Sequence, residues 1–143
     1  MLPAPFTNHG RKPAHCHGFS DHVCTLQQYS EGNISIKSSN PHEAPEIDPK
    51  CLTHPDDMPG LVKAFKQTRE IFQHEVLNEY SGIELRPGIK VDDDDKIEQW
   101  LRNEGLETLY HPVSSCRIGI NDDDPLDHKF NVKGVQGTIL PYN

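Results

Sequence analysis

The sequence predicts an α+β fold, mainly an antiparallel sheet with two helices. Three patterns carry this expectation. Leu61, Phe65, Thr68, Phe72 and Val76 recur at three- and four-residue steps, the spacing of one helix face. Four consecutive aspartates, Asp92 to Asp95, precede a second stripe made of Ile97, Trp100 and Leu101. Ile34-Ser35-Ile36-Lys37-Ser38 alternates apolar and polar side chains, the period of a half-buried strand.

Residues 1–17 hold three prolines and three histidines without periodicity and read as an irregular N-terminal segment. Over residues 19–29, Val23, Thr25 and Gln27 alternate with Cys24, Leu26 and Gln28, and Glu31-Gly32-Asn33 then supplies a turn. Residues 19–29 and 34–38 are therefore expected to pair as a β-hairpin. Pro41, Pro45, Pro49 and Pro55 leave room for at most a short edge strand over residues 46–52. The longer helix starts at Asp56-Asp57-Met58-Pro59, where carboxylates meet the positive end of the helix dipole and proline suits the first turn. Val62, Ile71 and Leu77 widen its apolar stripe and carry it to Leu77. Leu61, Phe65, Phe72 and Val76 are expected to pack on a sheet containing Ile34 and Ile36. The shorter helix stops at Gly105. Residues 83–88, 106–110 and 129–132 are expected as further short strands.

A chain of 143 residues can bury the core of one domain. Its hydrophobic share of 34%, mean hydropathy of −0.71 and twelve prolines describe a loop-rich piece, or one that packs on something else. With a net charge of −8, a pI near 5.5 and no basic stripe, the chain repels nucleic acid and anionic membranes, so neither is an expected partner. No apolar run approaches the roughly 20 residues of a membrane-spanning helix. Residues 1–6 lack the basic and apolar regions of a secretory signal, which makes the cytoplasm the default expectation. Cys16, Cys24, Cys51 and Cys116 show no Cys-x-x-Cys spacing and are expected as free thiols.

Several clusters invite a chemical reading. His15-Cys16-His17, with His22 and Cys24, offers imidazole and thiolate to a transition metal, but the spacing matches no common zinc module and no metal site is expected. Asp92-Asp93-Asp94-Asp95-Lys96 is identical to the enteropeptidase cleavage string. As a helix start it stabilises the dipole, and neither it nor Asp122-Asp123-Asp124 has the alternating ligands of a calcium loop. Both runs read as solvated turns. Cys116 stands beside Arg117, which favours thiolate, although a packed small residue is the expectation at that position.

The most informative stretch is Tyr110-His111-Pro112-Val113-Ser114-Ser115-Cys116-Arg117-Ile118-Gly119, followed by Leu126-Asp127-His128-Lys129-Phe130-Asn131-Val132-Lys133-Gly134-Val135-Gln136-Gly137. Together these resemble the C-terminal signature of the glucose–methanol–choline (GMC) flavoprotein oxidoreductases. In that family a His-Pro opens a segment ending Cys-(Arg/Lys)-(Met/Ile)-Gly, and an acidic turn leads to a Val-Asp…Gly-Val-x-Gly hairpin. Leu126-Asp127 stands here for Val-Asp. Earlier pieces fall in the same order: Glu31-Gly32-Asn33-Ile34-Ser35-Ile36-Lys37-Ser38 is similar to a family strand, and Asn40-Pro41 to Pro45, Ile47, Asp48 and Pro49 to a family loop. Asp56-Asp57 ahead of the long helix fits as well. The resemblance covers residues 19–137, and Thr138 to Asn143 depart from the strand that follows in the family.

The resemblance implies a fragment of the GMC substrate-binding domain, with 1–17 irregular, 18–110 substrate-domain-like and 111–143 the signature segment, truncated. It implies an FAD-dependent oxidation of CH–OH groups to carbonyls, with hydride passing to the flavin and His111 as the base. The Cys-Arg-Ile-Gly ending is closer to the choline and alcohol dehydrogenase branch. The bland alternative for His111 is a strand-end histidine fixed by Pro112. None of the ten glycines forms the Gly-x-Gly-x-x-Gly loop that cradles a dinucleotide pyrophosphate. The chain alone is therefore expected to be inactive, with FAD held by a separate FAD-domain chain and a small-molecule alcohol as substrate. The family's second catalytic position has no counterpart here. The alternative is a non-catalytic truncated remnant, or a partner-binding fragment without its own FAD domain.

Overall fold

Two helices meet through a small apolar cluster, and this contact organises the larger of two units. The computed structural model describes residues 5–7, 11–13 and 16–140. One unit takes its described residues from Met1–Gly32 and Pro49–Thr108, the other from Asn33–Asp48 and Leu109–Asn143.

In the larger unit, β1 (Phe6–Thr7) pairs antiparallel with β2 (Lys12–Pro13). Helix α1 spans Asp57–Phe72 and α2 spans Asp94–Trp100, continued by one π-type turn over Leu101–Gly105. Met58 and Val62 of α1 bury against Ile97 and Leu101, with Leu52, Leu61, Phe65, Val91 and Trp100 packed around them. The Phe65 and Trp100 rings tilt against each other at 5.7 Å. Lys66 forms an ion pair with Asp94 across the helices. The second helix is capped as its aspartates predict, the Asp93 carboxylate accepting the Lys96 N–H at 2.8 Å.

The start of α1 works differently. Asp56 caps with no side-chain hydrogen bond, and the buried Asp57 turns its carboxylate back onto the preceding loop. There it accepts the Tyr29 N–H at 2.7 Å, the Ser30 N–H at 3.1 Å and the Ser30 hydroxyl. The Ser30 hydroxyl oxygen in turn accepts the Thr53 and His54 amides, each at 3.0 Å. The bond from the Ser30 hydroxyl and then that from the Tyr29 amide hold Asp57 below the ordinary carboxylate pKa.

In the smaller unit, β3 (Asn33–Ser35) pairs antiparallel with β4 (Glu46–Asp48), setting Ile34 opposite Ile47. The connection is ordered by its own polar side chains: Ser38 Oγ donates to Glu43 Oε2 at 2.5 Å, and Asn40 Oδ1 accepts the His42 N–H at 3.1 Å. Among the described residues, β pairing in the rest of this unit is limited to single bridges, Ile118 with Leu126, Leu126 with Val132 and Asn131 with Ile139.

The α+β class holds, with two helices and antiparallel pairing, but four expectations need correction. Residues 19–29 form no strand with residues 34–38: the Tyr29 and Ser30 amides are consumed by Asp57, and β3 takes β4 as its partner. The long helix ends at Phe72 instead of Leu77. His74 leaves helical geometry (ψ 135°) and starts a separate 3₁₀ turn over Glu75–Leu77, which leaves Val76 70% exposed. The helix buries no sheet, since Ile34 and Ile36 are exposed and the cluster is helix on helix. Residues 83–88, 106–110 and 129–132 form no strands, their ordering coming from side-chain bonds or isolated bridges.

Candidate functional site

The signature segment lies wholly in the smaller unit. His111 is exposed, between Tyr110, whose φ of 62° is left-handed, and Pro112. No hydrogen bond to its ring occurs among the described residues, so its ring faces solvent next to a backbone of restricted freedom. A tight turn follows, closed by the Arg117 N–H donating to Ser114 O at 3.3 Å, with Ser114 at φ 70°. Cys116 sits in this turn and is exposed, contrary to its expectation as a packed residue; all four cysteines are free thiols.

Arg117 then anchors the segment. Its Nε donates to Asp124 Oδ1 at 2.6 Å, and Nη2 donates to Asp123 Oδ2 at 2.5 Å and to the Asp123 carbonyl at 3.2 Å. The second Asp124 oxygen accepts the Asn121 N–H at 2.8 Å. Arg117 first, and then the Asn121 amide, hold the Asp124 carboxyl below its ordinary pKa. Gly119 passes so close that any Cβ there would collide with the Asp124 carboxylate, which is the physical reason for glycine at the end of Cys-Arg-Ile-Gly. The acidic run is therefore only partly a solvated turn, because Asp124 is 5% exposed.

The hairpin half of the signature is also built by a carboxylate. Asp127 accepts Asn131 Nδ2 at 2.9 Å, the Asn131 N–H at 3.0 Å and the Lys129 N–H at 2.8 Å. Asn131 is the leading cause of its lowered pKa. Gly134 and Gly137 stand at φ 79° and 75°, conformations that side chains with a Cβ rarely adopt. In the sequence Asp57 and Asp124 stand out only as members of a helix start and an acidic run, not as the buried carboxylates that hold neighbouring segments. The usable signal was an aspartate in the helix start or acidic run with a nearby partner for its charge.

Among the described residues no cluster of three or more histidines, cysteines or acids is placed to hold a metal, and His15 lies outside them. No described helix is long and apolar enough to cross a membrane. Among the described residues, the start of the longest helix does not fit the pyrophosphate of FAD. The α1 N-terminus follows no glycine-rich turn and carries the Asp57 carboxylate in its first turn, which repels a phosphate.

Comparison with known proteins agrees with the signature. Residues 28–139 match the C-terminal family model described as GMC oxidoreductase. The chain is 35% identical over 139 residues to the oxygen-dependent choline dehydrogenase of Brucella anthropi, covering 96% of this chain and 25% of that protein. It is 38% identical to the same-named protein of Rhizobium meliloti, with the same coverage. It is 36% identical over 147 residues to an alcohol dehydrogenase [acceptor] of Pseudomonas putida, covering 99% of this chain and 26% of that protein. The chain thus spans about a quarter of the length of these relatives. With His111-Pro112, the Ser114–Arg117 turn, the Arg117–Asp124 anchor and the glycine-containing segment in one unit, and a match over most of its length, the chain belongs to the GMC oxidoreductase family, in its C-terminal domain.

Proposed function

We propose that this chain is part of an FAD-dependent oxidoreductase acting on CH–OH groups, with His111 as the base. The observation that carries it is His111 itself, an exposed imidazole immediately ahead of an anchored turn, in the sequence context of the family signature. Oxidation of an alcohol to a carbonyl removes a proton from oxygen and a hydride from carbon. A neutral imidazole nitrogen takes the first within hydrogen-bond reach. FAD, when bound by residues other than those described here, supplies the acceptor for the second. The names of the relatives support choline or another small alcohol as substrate. In this reading residues 18–110 contribute substrate-domain structure and residues 111–143 the base.

The test is a complex of this chain with the FAD-binding part of a choline dehydrogenase, reduced anaerobically by choline in single turnovers. His111→Ala should slow flavin reduction by about 10²–10⁴-fold with little change in substrate affinity. His128→Ala should be tolerated, because His128 is an exposed turn residue. Equal losses at both histidines, or none at His111, reject the assignment.

A second reading is a non-catalytic, partner-binding chain. The exposed apolar side chains of Ile34, Ile36, Ile47 and Ile120 favour it, since they suit burial against another surface. A complex that binds FAD but is never reduced by any alcohol would establish this reading over the first.

A further inference from the structure

Between His111 and Arg117 the chain makes no regular secondary structure, so the position of His111 depends on where its C-terminal continuation is fastened. Pro112 removes freedom at φ, and the Ser114–Arg117 turn brings the chain directly to the guanidinium. Arg117 is held on both sides. Its carbonyl accepts the Leu126 N–H at 3.3 Å, and two residues on, the Gly119 N–H donates to Leu126 O at 3.1 Å. Its side chain is fastened to Asp123 and Asp124.

These two carboxylates are not equivalent. The Asp123 side chain is 76% exposed, whereas that of Asp124 is 5% exposed. Asp124 also accepts the Asn121 amide and lies against Gly119, so it ties the guanidinium to the backbone that leads into the acidic turn. Asp123 adds only a solvated contact, of the kind that contributes little.

We propose that Asp124, acting through Arg117, is a positioning residue for His111. This rests on the reading of His111 as the base, and it adds a residue pair to that site. A buried carboxylate shared between a guanidinium and an amide has one geometry, and the turn that begins three residues after His111 inherits it.

The experiment uses the full 143-residue chain, labelled for NMR, with Asp124→Asn and Asp123→Asn compared to the parent. Asp124→Asn keeps the shape and removes the charge. It should shift the His111 ring signals and the amides of residues 110–117, and speed amide exchange at Arg117, Gly119 and Leu126 by about tenfold or more. The signals of α1, α2 and the β3–β4 pair should stay in place. Asp123→Asn, an equal change of charge on the same guanidinium, should leave His111 unmoved. The proposal is overturned if Asp124→Asn leaves the His111 signals unchanged, or if Asp123→Asn shifts them equally. Should Asp124→Asn unfold the unit, Arg117→Lys decides. It keeps the charge but loses the fork, and an unmoved His111 in that variant overturns the proposal.

In the complex with the FAD-binding part, Asp124→Asn should slow flavin reduction when His111 is present and add no further loss in the His111→Ala background. Additive losses would make Asp124 a merely structural residue. If His111→Ala alone costs nothing, the base assignment fails while the NMR comparison still decides the positioning.

Discussion

Arg69 grips Glu84 through two parallel hydrogen bonds, Nε to Oε2 at 2.9 Å and Nη2 to Oε1 at 2.6 Å. Its remaining nitrogen donates to Val91 O at 2.7 Å, and its guanidinium carbon lies 4.6 Å from the centre of the Phe65 ring. One side chain of α1 thereby fastens the later part of the connection to α2, since Glu84 also accepts the Gly88 N–H at 3.2 Å. The two side chains are 18% and 26% exposed, shielded enough for the fork to matter.

Arg69→Lys retains the charge and loses the fork, and should destabilise the chain by about 1–3 kcal/mol in urea unfolding. A change below about 0.5 kcal/mol, typical of an exposed surface site, would show that the fork is dispensable.

Ile97 is fully buried between the helices, at 0% exposure. Ile97→Ala should cost about 2–5 kcal/mol by losing burial and leaving a cavity. Ile36→Ala, at an 87% exposed position, should change unfolding of the isolated chain by less than about 0.5 kcal/mol. Similar losses at the two sites would contradict the helix-on-helix core.

Asp57 has a pKa lowered from its ordinary 3.8 by the Ser30 hydroxyl and then the Tyr29 amide. The folded state therefore binds its proton less readily than the unfolded state. The stability this contributes is complete above the unfolded value and disappears as pH falls through the depressed folded value. Unfolding free energy measured from pH 6 down to about pH 2 should show a shallower acid limb in Asp57→Asn than in the parent, with the other lowered aspartates supplying the remainder. An unaltered acid limb would remove Asp57 from the linkage.

The bond after Lys96 carries the enteropeptidase string, and the fold should protect it. Lys96 Nζ is clamped to Asp92 at 2.6 Å and Asp93 at 2.8 Å, which raises its pKa, and the next residue is the buried Ile97. Cleavage should be slow in buffer, rise with urea in step with the unfolded fraction, and accelerate in Ile97→Ala. Rapid cutting of the native chain would show that α2 opens independently of the core.

The family signature, the class of the fold and both helix starts were legible in the amino-acid order. Each depends on neighbours in sequence: apolar residues at helical steps, an aspartate three residues before the amide it caps, glycines at positive φ in the hairpin. Which segments pair was decided only in three dimensions. Ile34 alternates well enough to suit either neighbour, and the choice of β4 over residues 19–29 goes with the Asp57 carboxylate occupying the Tyr29 and Ser30 amides from 27 or 28 positions away. The same holds at the candidate site. His111 could be named from its motif, but the unequal surroundings of Asp123 and Asp124 could not, because two adjacent identical residues acquire different burial and partners only in the fold. Periodicity and capping are local, whereas desolvation of a carboxylate and the partner it then requires exist only once the chain has closed on itself.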